Sequence, residues 1–320
     1  MTKEAVVGVV RGGRGHLYDV SLLTGLHVLA NLPDKYEPLD ILITKDGVWH
    51  MHGVPVSPEY VARRTDVIFN ALHGEYGEDG KIQHILESLG VPYTGSKGFP
   101  SILSINKHLA RDIFKKHGFK TPRGTVIHKN DDINNALRYI FNTVTPPWII
   151  KPSRSGISLG VSFARSFEEL GRGVEEGLKY SDSVLVEEYI KGKEVTVPVV
   201  LGTDNSAHVL PAILIQKEGQ IFNHYAKQSG LHRTNDTEDL LPEEHWMVKN
   251  AAGQLHKKLG LGHYSRTDFI LHPKRGLFVL EINSLPQLHR ESVFHQSLKL
   301  AGTSFKDFLG HVVELARGEK

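Results

Sequence analysis

Two apolar segments near the C-terminus constrain the fold of this chain more than any other feature. They cover residues 266–271 and 278–283 with a short polar turn between them, a pattern typical of a β-hairpin. Because side chains alternate along a strand, Glu281 and Asn283 share one face of the second segment. If the hairpin closes at its turn, Asp268 on the first segment stands across from them.

Asp268, Glu281 and Asn283 would then present three oxygen donors, with no sulfur or imidazole among them. Hard oxygen donors on rigid strands, with room left for water and phosphate, suit Mg²⁺ or Mn²⁺. The alternative interpretation is an ordinary solvated acidic face of a hairpin. From these residues alone, both interpretations remain open.

Length and composition narrow the class of protein. A chain of 320 residues exceeds one ordinary core, so we expect two or three subdomains. A net charge of +2 without a long basic run argues against a nucleic-acid binder. The chain has no cysteine, which excludes disulfides, thiolate zinc sites and a cysteine nucleophile. No apolar run approaches membrane-spanning length or a signal-peptide core, so we expect a cytoplasmic protein without membrane contact.

The N-terminal third alternates between strand and helix patterns. A β-branched run over Ala5–Val10 leads into a glycine-rich turn and then into helical spacing, which predicts a βα unit with a buried parallel strand. A second apolar run, Val67–Leu72, delivers the segment His73–Gly80. Open α/β sheets place ligands at this end of their strands, so we expect that segment to reach a site.

The middle of the chain carries groups expected of a nucleotide site. Lys151 ends a short strand and opens a segment rich in small residues, 151–160, whose backbone N–H groups can fold over phosphates. Glu187 and Glu188, at the end of another strand, can accept hydrogen bonds from an adenine amino group or from ribose hydroxyls. The polar segment 218–240 has a length that is often functional or disordered. No Gly-x-x-x-x-Gly-Lys-Ser/Thr sequence occurs, which excludes the Walker motif.

A hydrolase is the rival interpretation of the same region. Gly156–Gly160 fits Gly-x-Ser-x-Gly, the nucleophile elbow of α/β-hydrolases. That elbow requires a helix directly after its serine, whereas residues 159–163 have a strand pattern and the next helix pattern opens at Ser166. The hydrolase interpretation is therefore disfavoured.

Four motifs follow one another along the chain: Leu72–Gly80, Val91–Ser96, Lys151–Gly156, and Arg266–Phe269 with Glu281–Asn283. Together they make nearly the whole chain resemble the D-alanine–D-alanine ligase family of the ATP-grasp superfamily. The resemblance implies an α/β protein that starts with a doubly wound parallel-sheet domain, residues 1–98. An α+β, two-lobed ATP-grasp fold would follow, with a central lobe at 99–190 and a C-terminal lobe at 191–320.

The activity implied by the resemblance joins two amino acids. Enzymes of this family transfer the γ-phosphate of ATP to the carboxylate of a first D-alanine, and the amine of a second D-alanine attacks the acyl phosphate. ADP and phosphate leave, and a dipeptide for peptidoglycan is formed. The implied cofactors are ATP and two Mg²⁺ (or Mn²⁺) ions, the partners are small amino acids, and family analogy suggests a homodimer.

Matching the motifs residue by residue assigns roles to positions in this chain. The implied ATP contacts are Lys107, Lys151, Glu187, Tyr189, Ile190, Glu194 and Lys227. The implied metal ligands are Asp268, Glu281 and Asn283. The implied catalytic residues are Arg266, Lys227, Ser158 and His73. Ser292 would bind the carboxylate of the second substrate.

The departures from the family pattern cluster at the first-substrate pocket. Leu17 stands where the family has Glu, Ile157 where it has the first Ser of its phosphate loop, and Gln228 where it has Tyr. Gln287 replaces a Gly whose N–H helps to form the oxyanion hole. An α-ammonium beside Leu17 would lack its counter-charge, at a cost on the order of several kcal/mol.

These departures leave the substrate open. Either Asp19, His16 or Glu75 supplies a substitute partner, or the acyl donor is not D-alanine. Three functions are compatible with the sequence: a D-alanine–D-alanine ligase with a rebuilt pocket, an ATP-grasp ligase for another amino or hydroxy acid donor, and a non-catalytic nucleotide-binding homologue. The complete metal set together with Arg266 favours an enzyme over a binding module.

Overall fold

The computed structural model describes residues 3–154, 159–216, 233–235 and 240–318. These residues form three β-sheets with helices packed on their faces. No helix among them is long and apolar enough to cross a membrane.

The N-terminal sheet is parallel at its centre and antiparallel at one edge. Strand β1 (Ala5–Gly12) lies between β2 (Tyr36–Ile43) and β5 (Val67–Asn70) and is parallel to both. The edge is an antiparallel hairpin of β3 (Trp49–Met51) and β4 (Val54–Val56). The predicted doubly wound parallel-sheet domain is confirmed at its central strands. The antiparallel edge hairpin was not predicted, because three-residue strands show no sustained alternation.

Helices cover both faces of the N-terminal sheet, as expected for a doubly wound domain. Helix α1 (Tyr18–Asn31) packs on one face, while α2 (Pro58–Ala62) and α3 (Lys81–Ser88) pack on the other. Glycine is required at residue 12, where φ is +92° and an added Cβ would lie 2.2 Å from the Ile43 carbonyl oxygen. The turn that opens α1 therefore depends on this residue.

The central sheet is antiparallel, in the order β6, β9, β7, β8. Its strands are β6 (Gly124–His128), β7 (Trp148–Pro152), β8 (Ser162–Ala164) and β9 (Ser183–Glu188). The helices of this region are α4 (Gly98–Ile105), α5 (Lys107–Lys116), α6 (Ile133–Thr143) and α7 (Phe167–Gly177). Helices α6 and α7 bury a core around the fully enclosed Trp148. The strand β8 after residues 159–160 is antiparallel, which agrees with the rejection of a hydrolase elbow.

The C-terminal sheet follows the order β13, β12, β10, β14, β15, with β11 paired to β10. Its strands are β10 (Lys193–Leu201), β11 (Ala207–Val209), β12 (Ile213–Gln216), β13 (Arg233–Asn235), β14 (Tyr264–His272) and β15 (Gly276–Asn283). Helix α8 (Pro242–Lys258) covers one face and forms a large apolar core with it. The opposite face is available for a site.

The predicted hairpin is confirmed as β14–β15, and its register places the oxygen donors together. Asp268 pairs with Glu281, and Arg266 pairs with Asn283. A β-bulge at Asp268/Phe269 separates these pairs from the regular ladder near the turn. Paired residues of antiparallel strands point to the same side, so all four side chains share one face.

The last two helices return to the start of the chain. Helices α9 (Val293–Leu300) and α10 (Phe305–Gly318) contribute Phe294, Phe308 and Val312 to a core that contains strands of the N-terminal sheet. Part of the region predicted as the C-terminal lobe, 191–320, therefore packs on the N-terminal sheet. The domain boundaries themselves remain a prediction.

Three buried histidines must stay neutral in the folded protein. Loss of hydration lowers the pKa of His73, His256 and His295 to about 4, compared with an ordinary value of 6.5. Above pH 6.5 they are neutral in both states, but below it the unfolded chain binds protons that the folded chain does not. Glu78 acts in the opposite direction, because burial raises its pKa to about 7. Three imidazoles outweigh one carboxyl, so stability should fall on acidification.

We expect His256→Asn to flatten the pH dependence of stability. Between pH 7.5 and pH 5 the parent should lose about 2 kcal/mol more unfolding free energy than the variant, since only the parent carries this buried imidazole. Urea denaturation at both pH values measures the difference. The exposed His84 on α3 is the matched control. Parallel profiles for His256→Asn and the parent would contradict the assignment.

Candidate active site

The exposed face of β14 and β15 holds an Arg–Asp pair at its centre. Nε and Nη2 of Arg266 donate to the two oxygens of Asp268, each at 2.9 Å. Thr196 on β10 pairs with Asp268 in the sheet and donates from Oγ1 to Asp268 Oδ1 at 2.6 Å. The Asp268 carboxylate is buried and accepts three hydrogen bonds from two side chains, which fixes its orientation.

A second carboxylate on this face lies beside a lysine. Lys107 opens α5, and its Nζ lies 3.6 Å from Glu281 Oε2. Asn283 completes the set, and its Oδ1 accepts a hydrogen bond from the Leu285 N–H at 3.0 Å. An amide oxygen has two lone pairs, so one is still available for a cation.

The donor set fits a hard divalent cation. No group of three His, Cys, Asp or Glu residues in the described part of the chain could hold a metal ion. The predicted set instead combines two carboxylates with one amide oxygen, which is a donor set that Mg²⁺ accepts together with water and phosphate. Without the cation, Arg266 and Lys107 neutralise Asp268 and Glu281.

A buried ion triad lies at the end of β9. Glu187 is almost completely enclosed, with one oxygen 3.1 Å from Arg111 Nη1 and the other 2.7 Å from Lys151 Nζ. Burial opposes the charge of Lys151, yet the Glu187 carboxylate raises the pKa of this ammonium above its ordinary value. The structure thus brings together two of the predicted nucleotide contacts.

Arg111 was missed by the sequence analysis. It lies four residues after Lys107 on α5, so both side chains project from one face of this helix. That spacing was the signal available in the sequence. The buried partner of Arg111, Glu187, comes from a distant strand, and nothing local in the sequence indicates this pairing.

A small apolar cluster lies next to these charged groups. Its members are Ile190, Ile270, Phe278 and Leu280. Glu194 on β10 pairs in the sheet with Ile270 and so lies on the same face. Tyr189 precedes the cluster, with its ring edge-on to Phe163 at 5.3 Å. An apolar wall beside the carboxylates Glu187 and Glu194 suits a heterocyclic base with its ribose.

His73 uses both of its ring nitrogens within the protein. Nδ1 lies 3.0 Å from the Leu285 carbonyl oxygen and Nε2 lies 2.8 Å from Thr24 Oγ1. A carbonyl oxygen only accepts, so Nδ1 carries the proton and Nε2 accepts from the threonine hydroxyl. In this arrangement His73 connects the N-terminal sheet to the loop after β15, and its catalytic role remains a prediction.

A narrow cavity lies beside Leu17, where the sequence predicts the first-substrate pocket. This cavity of about 20 Å³ is lined by His16, Leu17, Gly74, Glu75, Arg154, Leu159 and Tyr180. Leu17 is buried, whereas His16 and Glu75 are exposed. Two of the three residues proposed to supply the missing counter-charge, His16 and Glu75, therefore line this cavity. The third, Asp19, is exposed in the first turn of α1.

The predicted acceptor residues lie after β15. Ser292 begins α9, and its Oγ accepts from the His295 N–H at 3.2 Å, which leaves the hydroxyl proton free to donate. The side-chain oxygen of Gln287 lies 3.1 Å from His289 Nε2. Four further predicted site residues, Ser158, Ile157, Lys227 and Gln228, lie outside the described residues.

Comparison with known protein families identifies the chain. The C-terminal family model "D-ala D-ala ligase C-terminus" matches residues 113–314, and its N-terminal counterpart matches residues 52–96. The chain belongs to the D-alanine–D-alanine ligase family. A family member from Desulforamulus reducens is 33% identical over 315 residues, covering 97% of this chain and 98% of its own length.

Solved structures of the D-alanine–D-alanine ligase family superpose over almost all of the chain. The Bacillus anthracis D-alanine–D-alanine ligase complexed with ATP is 28% identical, with a TM-score of 0.79 and coverage of 98% of this chain and 99% of that one. The VanG D-Ala:D-Ser ligase from Enterococcus faecalis is 25% identical, with a TM-score of 0.86 and coverage of 99% and 100%. The predicted ATP-grasp fold is confirmed.

We expect Thr196→Val to weaken cation binding about tenfold, since groups that orient a metal ligand typically contribute at least that much. The substitution keeps the side-chain shape but removes the hydrogen bond to Asp268. Mn²⁺ titration in the presence of ADP, followed by electron paramagnetic resonance, measures the affinity.

Thr267→Val provides a matched control for this experiment. Thr267 is the neighbour of Asp268 on β14, and its buried Oγ1 has no hydrogen-bond partner among the described residues. Its substitution should leave Mn²⁺ affinity unchanged. Equal effects of the two substitutions would show that Thr196 does not act through Asp268.

Proposed function

We propose that this chain is an ATP-dependent ligase that joins two D-alanine molecules, with release of ADP and phosphate. The observation that carries the proposal is the single face of β14–β15 that presents Arg266, Asp268, Glu281 and Asn283, in a chain that belongs to this ligase family over nearly its full length. The product is a precursor dipeptide of peptidoglycan.

The nucleotide would lie between the central and C-terminal sheets. Lys107 and Lys151 neutralise phosphate charge, and Lys227 is assigned to the γ-phosphate by motif. Glu187 and Glu194 accept hydrogen bonds from the base and the ribose, next to Tyr189 and Ile190. Divalent magnesium, held by Asp268, Glu281 and Asn283, would supply positive charge at the phosphates.

The reaction begins when a carboxylate oxygen of the first substrate attacks the γ-phosphorus. The bond between this phosphorus and the bridging oxygen breaks, so ADP leaves and an acyl phosphate forms. The amine of the second substrate then attacks the acyl carbon, phosphate leaves, and the nitrogen loses its proton. Arg266, fixed by Asp268, stabilises negative charge that develops on these oxygens, as Ser158 is assigned to do by motif.

The second substrate would lie against the loop after β15. The Ser292 hydroxyl donates to its carboxylate at the start of α9, where the helix dipole also favours an anion. The Gln287 N–H takes the place of the family's glycine N–H at the acyl oxygen. His73 holds this loop through the Leu285 carbonyl.

A second candidate function is a ligase for a different acyl donor. Leu17 is buried at the donor cavity, where an α-ammonium would need a carboxylate. The similar VanG protein is a D-Ala:D-Ser ligase, so ligases of this fold do not all join two D-alanine molecules. Domain boundaries, a homodimer and a cytoplasmic location remain predictions.

We expect the purified protein to release ADP from ATP with D-alanine, and to form a dipeptide identified by mass. Arg266→Met should lower kcat by about 10²–10³-fold, since it removes a charge aimed at the developing oxyanion. Arg275→Met is the control. Arg275 lies in the turn of the same hairpin, and it also pairs with a carboxylate, that of Glu188 on β9. ATP binding without ADP release for any amino or hydroxy acid would support the non-catalytic alternative.

We expect Glu75→Gln to raise the KM for the acyl donor about tenfold, if Glu75 replaces the missing counter-charge at Leu17. The KM for ATP should stay unchanged, since Glu75 lies at the donor cavity. Asp19→Asn tests the rival candidate, because a raised KM for the acyl donor in this variant alone would assign the counter-charge to Asp19. A D-alanine KM that is unchanged by Glu75→Gln would exclude Glu75 as the substitute partner.

A further inference from the structure

We propose that Arg111 is a positioning residue that holds the Glu187 carboxylate in one orientation and makes the nucleotide site select a base with a 6-amino group. This proposal deepens the proposed function, because it assumes that the base of the nucleotide lies beside Glu187. The four sequence motifs that carry the family resemblance do not include Arg111.

Arg111 pairs with Glu187 by charge and with the backbone by a hydrogen bond, and neither Glu187 oxygen has a hydrogen-bond partner among the described residues. Its side chain is only 4% exposed, and Nη1 lies 3.1 Å from Glu187 Oε1. Nη2 donates to the Pro122 carbonyl oxygen at 2.6 Å, and Nε is buried with no hydrogen-bond partner among the described residues. The guanidinium therefore joins α5, the segment before β6 and the end of β9.

The ion pair with Arg111 determines which chemical groups Glu187 can bind. A carboxylate between two cations accepts hydrogen bonds, and Glu187 lies between Arg111 and Lys151 in this way. A 6-amino group donates a hydrogen bond to it, whereas a 6-oxo group presents an acceptor and is repelled.

Arg111 is better suited to this task than Lys151. Lys151 has a flexible stem and is assigned to the phosphates, so a bound nucleotide draws its charge away from Glu187. The guanidinium of Arg111 is planar, and its Nη2 donates to the Pro122 carbonyl oxygen. Its Nη1 lies beside Glu187 Oε1, whereas Lys151 lies beside Oε2. Arg111 therefore keeps a positive charge beside Glu187 when nucleotide phosphates compete for Lys151.

The backbone brings these groups together by a close approach of two strands. Gly124 pairs with Glu187 across β6 and β9. A Cβ at residue 124 would lie 2.3 Å from the Val186 carbonyl oxygen and 2.9 Å from the Glu187 Cα. Only glycine permits this packing, which brings the Pro122 carbonyl within reach of Arg111.

The test compares ATP with ITP, which differ only in the 6-amino and 6-oxo groups of the base. The parent should prefer ATP by about 10²-fold in kcat/KM, the discrimination that one hydrogen bond to a charged group supplies. Arg111→Met should reduce the preference at least tenfold through KM for ATP. Arg111→Lys, which keeps a cation but loses the planar guanidinium, should reduce it about threefold.

Three comparisons make the result decisive. Arg123→Met, at an exposed arginine on the same segment, should leave the ATP/ITP ratio unchanged. In a Glu187→Gln background, Arg111→Met should have no further effect on the ratio, because no charge is left to hold. If Arg111→Met does not fold, the ratio of Arg111→Lys decides.

An unchanged ATP/ITP ratio in every folded Arg111 variant would overturn the proposal. ADP and IDP binding by calorimetry gives the same comparison without ligation. If the parent releases no ADP with any amino acid but still prefers ADP to IDP through Arg111, the ligase function fails and the role of Arg111 holds.

Discussion

One extra residue in strand β15 determines whether this chain can hold a cation. Counting from the turn, Phe269 pairs with Val279, so a regular ladder would place Leu280 opposite Asp268. Glu281 and Asn283 would then point to the opposite face of the sheet, because a slip of one residue reverses every side chain. The bulge at this point brings Glu281 opposite Asp268 and Asn283 opposite Arg266. The oxygen donors converge only because this ladder is irregular.

The sequence predicted elements with strong local patterns and missed contacts that depend on distant segments. The hairpin and the βα unit at Ala5 followed from apolar periodicity, and the predicted position of Asp268 across from Glu281 is confirmed. The bulge that makes this pairing possible was not predicted, because neither Leu280 nor Phe269 carries a local signal for it. The short β3–β4 hairpin was missed for the same reason.

Sequence motifs predicted which residues belong to the candidate site. They did not predict which other side chains those residues contact. The sequence assigned Lys107, Lys151 and Glu187 to the nucleotide, and the structure adds that Lys151 and Glu187 form a buried pair completed by Arg111. It assigned His73 to catalysis, which remains a prediction, and the structure adds that Thr24 and the Leu285 carbonyl contact both of its ring nitrogens. Such partners come from segments far apart in the chain, so no spacing rule could indicate them.

Buried charge explains why the two ends of the site differ in their tolerance of change. At the nucleotide end, each buried charge neutralises another, so removing one partner would leave the other uncompensated at a cost of about 3–5 kcal/mol. Arg266 with Asp268, and Arg111 and Lys151 with Glu187, are coupled in this way. At the donor end, Leu17 is apolar and packs beside Gly74, while Glu75 is exposed and requires no buried partner. A substitution at the donor end therefore leaves no buried charge without a partner. Substrate preference can change there while nucleotide binding is kept.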